Sequence, residues 1–279
     1  MSGAKTATLL VMGLITFSIK LIATPPVAEP SREFPALRLE ASPDDLEALD
    51  CLYDEGQTAL LEKLNRCDRD RLASLERLVL PDRWDRDELE LSPLPEDSAW
   101  AERFPKAIVV HQRLQAFGAY ECGRLVRWGP VSSGAERSPT PRGMFFLNWK
   151  SKGHRSTVNR DWFLRWYFNF NNKSGHSFHE YELPGRPASH GCVRLLSRDA
   201  KWIYDWGDSW ALDERGWTVE QPGTPVLVLS KYDFDRVAPW RDPLLFGAEA
   251  PEEPAIVQHA LTPTAEQNEE QPLDESPVE

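Results

Sequence analysis

The chain has 279 residues, 41% hydrophobic and 10% aromatic, with a formal net charge of −12. That apolar content is enough for a core, which excludes a wholly disordered or fibrous chain and leaves one principal domain with appendages. The charge is uneven: residues 29–103 carry 10 basic and 21 acidic groups, residues 104–248 carry 20 and 14, and residues 249–279 carry nine acidic groups and no Lys or Arg. The middle segment, at +6 (20 minus 14), suits an anionic substrate and is too diffuse for a nucleic-acid partner.

At the N-terminus, Lys5, an apolar run from Ala7 to Ile19, Lys20 and a Pro-rich stretch from Thr24 to Pro30 have the proportions of an export signal. The run is shorter than the ~20 residues a membrane span needs, and no small-x-small cleavage site follows it. Residues 1–28 therefore read as a cleaved signal or a retained inner-membrane anchor, and the protein as exported and periplasmic. Residues 30–42 read as a linker. Residues 43–100 read as a small helical region, with Leu46, Leu49, Leu60, Leu61 and Leu64 at helical spacing. Within it, Leu60-Leu61-Glu62-Lys63-Leu64-Asn65-Arg66 followed by Leu75 and Leu78-Val79-Leu80-Pro81 resembles the second half of a LysM peptidoglycan-binding module, whose Gly-Asp-Thr-Leu opening is absent.

From Ala107 the texture changes to short β-rich runs: Ile108 to Val110, Leu114 to Tyr120, Arg124 to Trp128, Met144 to Asn148 and Val226 to Leu229. Ser133-Gly134 and Pro139-Thr140-Pro141-Arg142-Gly143 are turn chemistry between them. Asp199 to Trp206 is the one clear helix, with Ser197 as its expected N-cap. The cluster Trp162, Phe163, Trp166, Tyr167, Phe168, Phe170 reads as core packing or as the lining of a cleft. Residues 247–279 are rich in Pro and Glu and cannot repay ordering entropy, so a disordered acidic tail is expected. The four cysteines, 51, 67, 122 and 192, form no CxxC pair, and Cys51 and Cys67 are close enough in sequence to pair in an oxidising compartment.

The chemistry concentrates in His176-Ser177-Phe178-His179 and Ser189-His190-Gly191-Cys192-Val193-Arg194. A cysteine after His and Gly, on a segment leading from a turn toward a helix, sits where amides and imidazoles can stabilise a thiolate. Acyl transfer by a thiol also needs a basic imidazole and N–H donors for an oxyanion. His179 or His190 can supply the first, and the amides of Gly191 and Cys192 the second. Spacing alone leaves this reading open beside that of an inert buried cysteine. No zinc or metalloprotease spacing joins His176, His179, His190 and Cys192.

The segment resembles the active-site motif of the L,D-transpeptidase (YkuD-type) family: a His, a variable stretch, then Ser/Thr-His-Gly-Cys, an apolar residue and Arg or Asn. The interval from His179 to Ser189 is ten residues and ends in Leu183-Pro184-Gly185-Arg186-Pro187-Ala188, similar to one subgroup of that family. Val131-Ser132-Ser133-Gly134 and Thr140-Pro141-Arg142-Gly143 match a second part of the pattern, so the resemblance spans about residues 104–235. It implies a β-dominated, β-sandwich-like domain with a short helix after the catalytic loop. It implies Cys192 as nucleophile and His179 as the activating imidazole, favoured over His176 by phase and by distance to Pro184-Gly185. His190 and Gly191 would shape the site and its oxyanion hole, with Ser189 and Arg194 in support. It further implies peptidoglycan stem peptides as substrate, no cofactor, and inhibition by carbapenems. The acceptor would be another stem, a free D-amino acid or a lipoprotein lysine; the alternatives are a carboxypeptidase or amidase, or a non-catalytic wall-binding protein.

Overall fold

A computed structural model describes residues 37–156 and 158–241; the segments read as signal or anchor and as acidic tail lie outside the described residues. The N-terminal part runs β1 (Leu37–Ala41), α1 (Leu46–Leu52), α2 (Glu55–Asn65), α3 (Arg69–Leu72) and β2 (Arg77–Pro81). β1 and β2 pair antiparallel, Leu39 opposite Val79. The segment read as a linker thus supplies a strand, and the region read as helical supplies its partner. Five residues are too few for periodicity to separate a strand from a linker. α2 begins with a capping box: the Gln57 amide donates to Asp54 Oδ1 (2.8 Å) and the Asp54 amide to Gln57 Oε1 (3.1 Å). It ends at Arg66 in the left-handed region (φ 59°).

Arg66 is buried, where its Nε donates to Leu114 O (3.1 Å) and its guanidinium lies between the rings of Trp128 (5.3 Å) and Trp240 (5.7 Å). Burial pulls its pKa down to about 9, which leaves it charged at neutral pH. Lys63 Nζ donates to Trp128 O (3.0 Å). α2 is therefore tied into the following domain by cations that satisfy buried carbonyls.

The principal domain contains β3 (Lys106–His111), β4 (Ala116–Glu121), β5 (Arg124–Ser132), β6 (Gly143–Phe146), β7 (Lys150–Arg155), β8 (Phe163–Asn171), β9 (His176–Glu180), β10 (Val193–Leu195), α4 (Ser197–Trp206) and the small pair β11 (Ala211–Leu212) and β12 (Val219–Gln221), then β13 (Pro225–Leu229). One nine-stranded sheet has the order β6-β13-β3-β4-β5-β10-β9-β8-β7. Its two halves face one another across a core of Ile108, Val110, Phe117, Val226 and Val228 from one side and Phe168, Phe170, Phe178, Val193 and Leu195 from the other. Phe145 of β6 meets Phe170 of β8 edge-on at 5.6 Å. The domain is β-dominated and its curled sheet is sandwich-like, with α4 directly after the motif. The aromatic cluster resolves as β8: Phe168 and Phe170 enter the core while Tyr167 and Asn169 face the other way.

Two local expectations change. Ser197 is the first residue of α4 rather than its cap; Leu196 occupies the cap without a side-chain bond, and Ser197 Oγ donates to Glu180 Oε2 (2.9 Å) instead. Cys51 is exposed on α1 and Cys67 is buried, both as free thiols. Burial pushes the Cys67 thiol up to about 12, so it stays protonated.

A second core joins the N-terminal part to the sheet: Leu64, Val79, Leu91 and Trp100 pack with Ala107, Val109, Tyr120, Leu125, Trp128 and Leu227. The Trp128 indole also donates to Glu88 O (2.6 Å).

Candidate active site

β10 lies parallel to β9, with Val193 opposite Phe178 and Arg194 opposite His179. Side chains alternate along a strand. Phe178, Val193 and Leu195 enter the core, which sends Ser177, His179, Cys192 and Arg194 to the other face. Cys192 stands just before β10, partly exposed, and its sulfur accepts a hydrogen bond from Ser177 Oγ (3.5 Å). The thiol points at Gly175 O, 3.8 Å away. Burial pushes the Cys192 thiol up; the Ser177 hydroxyl and amide, and more weakly Arg194, pull it back.

His179 is 4% exposed, and burial lowers its pKa to about 4. Its Nδ1 is 3.0 Å from Glu180 O. A carbonyl only accepts, so Nδ1 carries the proton and the neutral ring keeps its lone pair on Nε2. His176 faces the opposite way. A Cβ on Gly191 would lie 2.5 Å from its Nε2, so the His176 ring packs on Gly191, whose φ of +108° already favours glycine. His176 is thus a wall of the loop and His179 the imidazole on the cysteine face.

The loop is held from three directions. Ser189 Oγ donates to Cys192 O and accepts from the Gly191 amide (3.1 Å), so this amide is engaged within the loop. Thr140 Oγ1 donates to Gly191 O (2.9 Å) and accepts from the Gly134 amide (2.8 Å), while the amides of Ala188 and Ser189 both donate to Ser133 O (3.0 Å). The two glycine-containing turns read from sequence are therefore the frame of the cysteine loop. The third anchor comes from the N-terminal part: Asp68 exchanges backbone and side-chain bonds with Leu183 (amide to Asp68 Oδ2, 2.7 Å; Asp68 amide to Leu183 O, 3.1 Å), beside a bridge between Cys67 and Pro184.

Arg194 stacks on Tyr181 (4.5 Å) and donates to Glu182 O (3.4 Å), which makes it a tether of the segment before the loop. His190 is exposed and lies 5.2 Å from the Trp162 ring. Sequence reasoning passed over Ser177, although it stands two residues before His179 and so shares its face. Tyr167, read only as one of the aromatic cluster, stacks on Trp149 (4.9 Å) and meets His154 (4.4 Å); the bulges in β8–β9 pairing hide its face from simple alternation. Among the described residues no group of three or more His, Cys, Asp or Glu is placed to hold a metal ion.

Gly134 lies against backbone: a Cβ there would be driven into Ser138 O and Thr140 N. Gly134→Ala should cost about 1–3 kcal/mol in denaturant unfolding through overpacking, and should slow any Cys192-dependent reaction more than a remote substitution of equal cost. Equal losses for both would show that Gly134 contributes only to stability.

His111 sets a pH limit together with His179. Its Nδ1 accepts the Leu114 amide (3.2 Å) and its Nε2 meets Ser230 Oγ (3.1 Å), and burial lowers its pKa to about 4. As pH falls through 6.5 the unfolded chain takes up these two protons, whereas the folded chain does so only near 4. Stability is complete above about pH 6.5 and is lost toward pH 4, by at most ~3 kcal/mol for each histidine. Asp68, raised to about 6 by burial, acts in the opposite sense, but it is half-exposed and screened. The urea midpoint should therefore fall between pH 6.5 and 4, with a shallower slope in His111→Gln; an unchanged slope in that variant would exclude His111 as the source.

A thiol, a neutral imidazole with its lone pair on Nε2, and a loop rigidly bonded to the surrounding turns form the equipment for acyl transfer through sulfur. Residues 105–228 match the family model of the L,D-transpeptidase catalytic domain, YkuD. The family that the motif resembles is therefore matched over residues 105–228 of the chain. Among solved structures, an L,D-transpeptidase from Stackebrandtia nassauensis is 25% identical, over 47% of this chain and 58% of that one, with a TM-score of 0.38. One from Mycobacterium tuberculosis is 22% identical, over 45% of this chain and 58% of that one, with a TM-score of 0.36. One from Mycobacterium smegmatis is 20% identical, over 45% and 59%, also at 0.36. The chain thus spans under two thirds of the length of these proteins. Other matching L,D-transpeptidases were solved with imipenem, as an avibactam carbamoyl enzyme, and with a faropenem-derived adduct. No curated protein matches the chain.

Proposed function

We propose that this protein is an exported peptidoglycan L,D-transpeptidase with Cys192 as nucleophile. The observation that carries the reading is the shared face of β9 and β10: Cys192 and His179 project from one side of the sheet, and the loop between them is fixed by Ser133, Thr140 and Asp68. His179 Nε2 takes the thiol proton as Sγ bonds to the carbonyl carbon after the diamino acid of a tetrapeptide stem. The C–N bond to the terminal D-alanine then breaks, and its nitrogen takes the proton from the imidazole, leaving a thioester. An amine acceptor attacks the thioester and returns the sulfur as thiol. That amine belongs to another stem, a free D-amino acid or a lipoprotein lysine. The Gly191 amide is engaged with Ser189 in the resting loop, which leaves the Cys192 amide as the motif's donor for the tetrahedral oxyanion.

The basic balance of residues 104–248 supports an anionic peptide substrate, and the N-terminal apolar run supports export. The inhibitor complexes of related proteins support acylation of Cys192 by carbapenems. The test is mass analysis of a disaccharide-tetrapeptide incubated with the reduced protein. Dimers lighter by one D-alanine support the transpeptidase; monomers that have only lost D-alanine indicate a carboxypeptidase; an unchanged fragment, with no carbapenem adduct on Cys192, rejects both.

A further inference from the structure

The Cys192 sulfur has a buried polar partner on β9 besides the histidines of the motif. Ser177, fully buried on β9, directs its hydroxyl at Sγ from 3.5 Å. Its hydroxyl also adjoins that of Tyr167. Tyr167 in turn accepts from Asn169 Nδ2 (3.3 Å) and donates to Gly175 O (3.3 Å), and Asn169 Oδ1 accepts from Asn148 Nδ2 (2.8 Å). The serine is therefore the end of a buried polar chain, Asn148-Asn169-Tyr167-Ser177, that terminates on the sulfur. A buried hydroxyl held in this way cannot turn to solvent, and its proton has the Cys192 sulfur and the Tyr167 oxygen as its acceptors.

We infer that Ser177 is a further catalytic residue, a fixed hydrogen-bond donor to the Cys192 sulfur that stabilises it as an anion. The inference rests on Cys192 being the nucleophile. Ser177 keeps its own proton throughout: the thiol proton leaves to His179, and the serine O–H shortens its contact with Sγ as negative charge develops there. The same donor stabilises the sulfur when it departs from the thioester. Hydrogen bonds to an ionised acceptor are stronger than those to a neutral one, so the contact favours the anion over the resting thiol. His179 is neutral at pH 7 and provides no standing cation for the thiolate, so a fixed neutral donor supplies what an imidazolium would.

The test follows carboxamidomethylation of Cys192 by iodoacetamide against pH, read by mass spectrometry on the Cys192 peptide because Cys51 and Cys122 are also exposed. Ser177→Ala should move the alkylation midpoint up by about one pH unit, a roughly tenfold loss of rate at fixed pH below it. Ser177→Thr, which retains the hydroxyl, should restore most of the rate. Tyr167→Phe, which leaves the serine in place and removes the other acceptor of its proton, should not raise the midpoint. Circular dichroism and thermal midpoints near those of the unmodified protein would show that each variant is folded. An unmoved profile in Ser177→Ala, or a Thr variant that behaves as the Ala variant does, overturns the inference. Alkylation needs no wall substrate, so it reads Ser177 even if the transpeptidase reading fails. Conversely, dimer formation that survives Cys192→Ala would sink that reading whatever Ser177 does.

Discussion

A chain beginning at residue 104 is expected to be unfolded or insoluble, although it carries the whole matched domain and every residue of the cysteine motif. The cut removes Leu64, Val79, Leu91 and Trp100 from the core they share with Val109, Tyr120, Leu125, Trp128 and Leu227. Burying four such side chains is worth ~6–12 kcal/mol at about 1.5–3 kcal/mol each, as large as the 5–15 kcal/mol typical of total stability. It also strips Trp128 of its bonds to Lys63 and Glu88, leaving a buried carbonyl and indole unpaired. The site would suffer as well, because Asp68 no longer holds Leu183. Soluble yield and thermal unfolding of chains starting at residues 37 and 104 make the comparison. A cooperative transition within a few degrees in both would show that the N-terminal part is an independent appendage after all.

Loss of the base or of the sulfur should stop the chemistry without loss of the fold. Cys192 is partly exposed and donates nothing the core requires, so Cys192→Ala should unfold within a degree or two of the unmodified protein. It should form no carbapenem adduct and no D-alanine-deficient dimer, because the remaining groups can only bind and polarise. His179→Gln retains a side chain of similar size with an N–H for Glu180 O, but it has no lone pair of comparable basicity. Its acylation rate should fall by roughly 10²–10⁴, with substrate binding little affected. Because His179 is neutral at pH 7 and Cys192 is raised by burial, the resting pair is thiol and imidazole. With the base already deprotonated and the thiol still protonated, acylation should vary little with pH through the neutral range. A rate that climbs about tenfold per pH unit there would argue for attack by free thiolate and against this proton path.

How much of this was legible before the fold is clear from particular residues. The motif Ser189 to Arg194, the turns at Ser133-Gly134 and Thr140 to Gly143, and strands β3, β4, β5 and β13 carry local signals: turn residues, β-branched runs and a fixed order along the chain. Alternation also separates His179 from His176 once β9 is known to be a strand. β7, β8 and β10 were not legible. β10 is three residues long, and the bulges of β8 break the two-residue period near Trp166, whose φ is +52°.

The sequence by itself carried the L,D-transpeptidase motif around Cys192 and the β-dominated class, because these depend on residue type and short-range spacing. Only the tertiary structure decided that Gly191 has His176 against it, that Ser177 faces the sulfur, and that Asp68 anchors the segment at Leu183, 115 positions away. It also decided that residues 37–103 share a core with the domain rather than hang from it. The physical reason is the same in each case: a hydrogen bond or a buried contact between distant positions depends on register and sheet curl, and neither leaves a pattern within a short stretch of sequence.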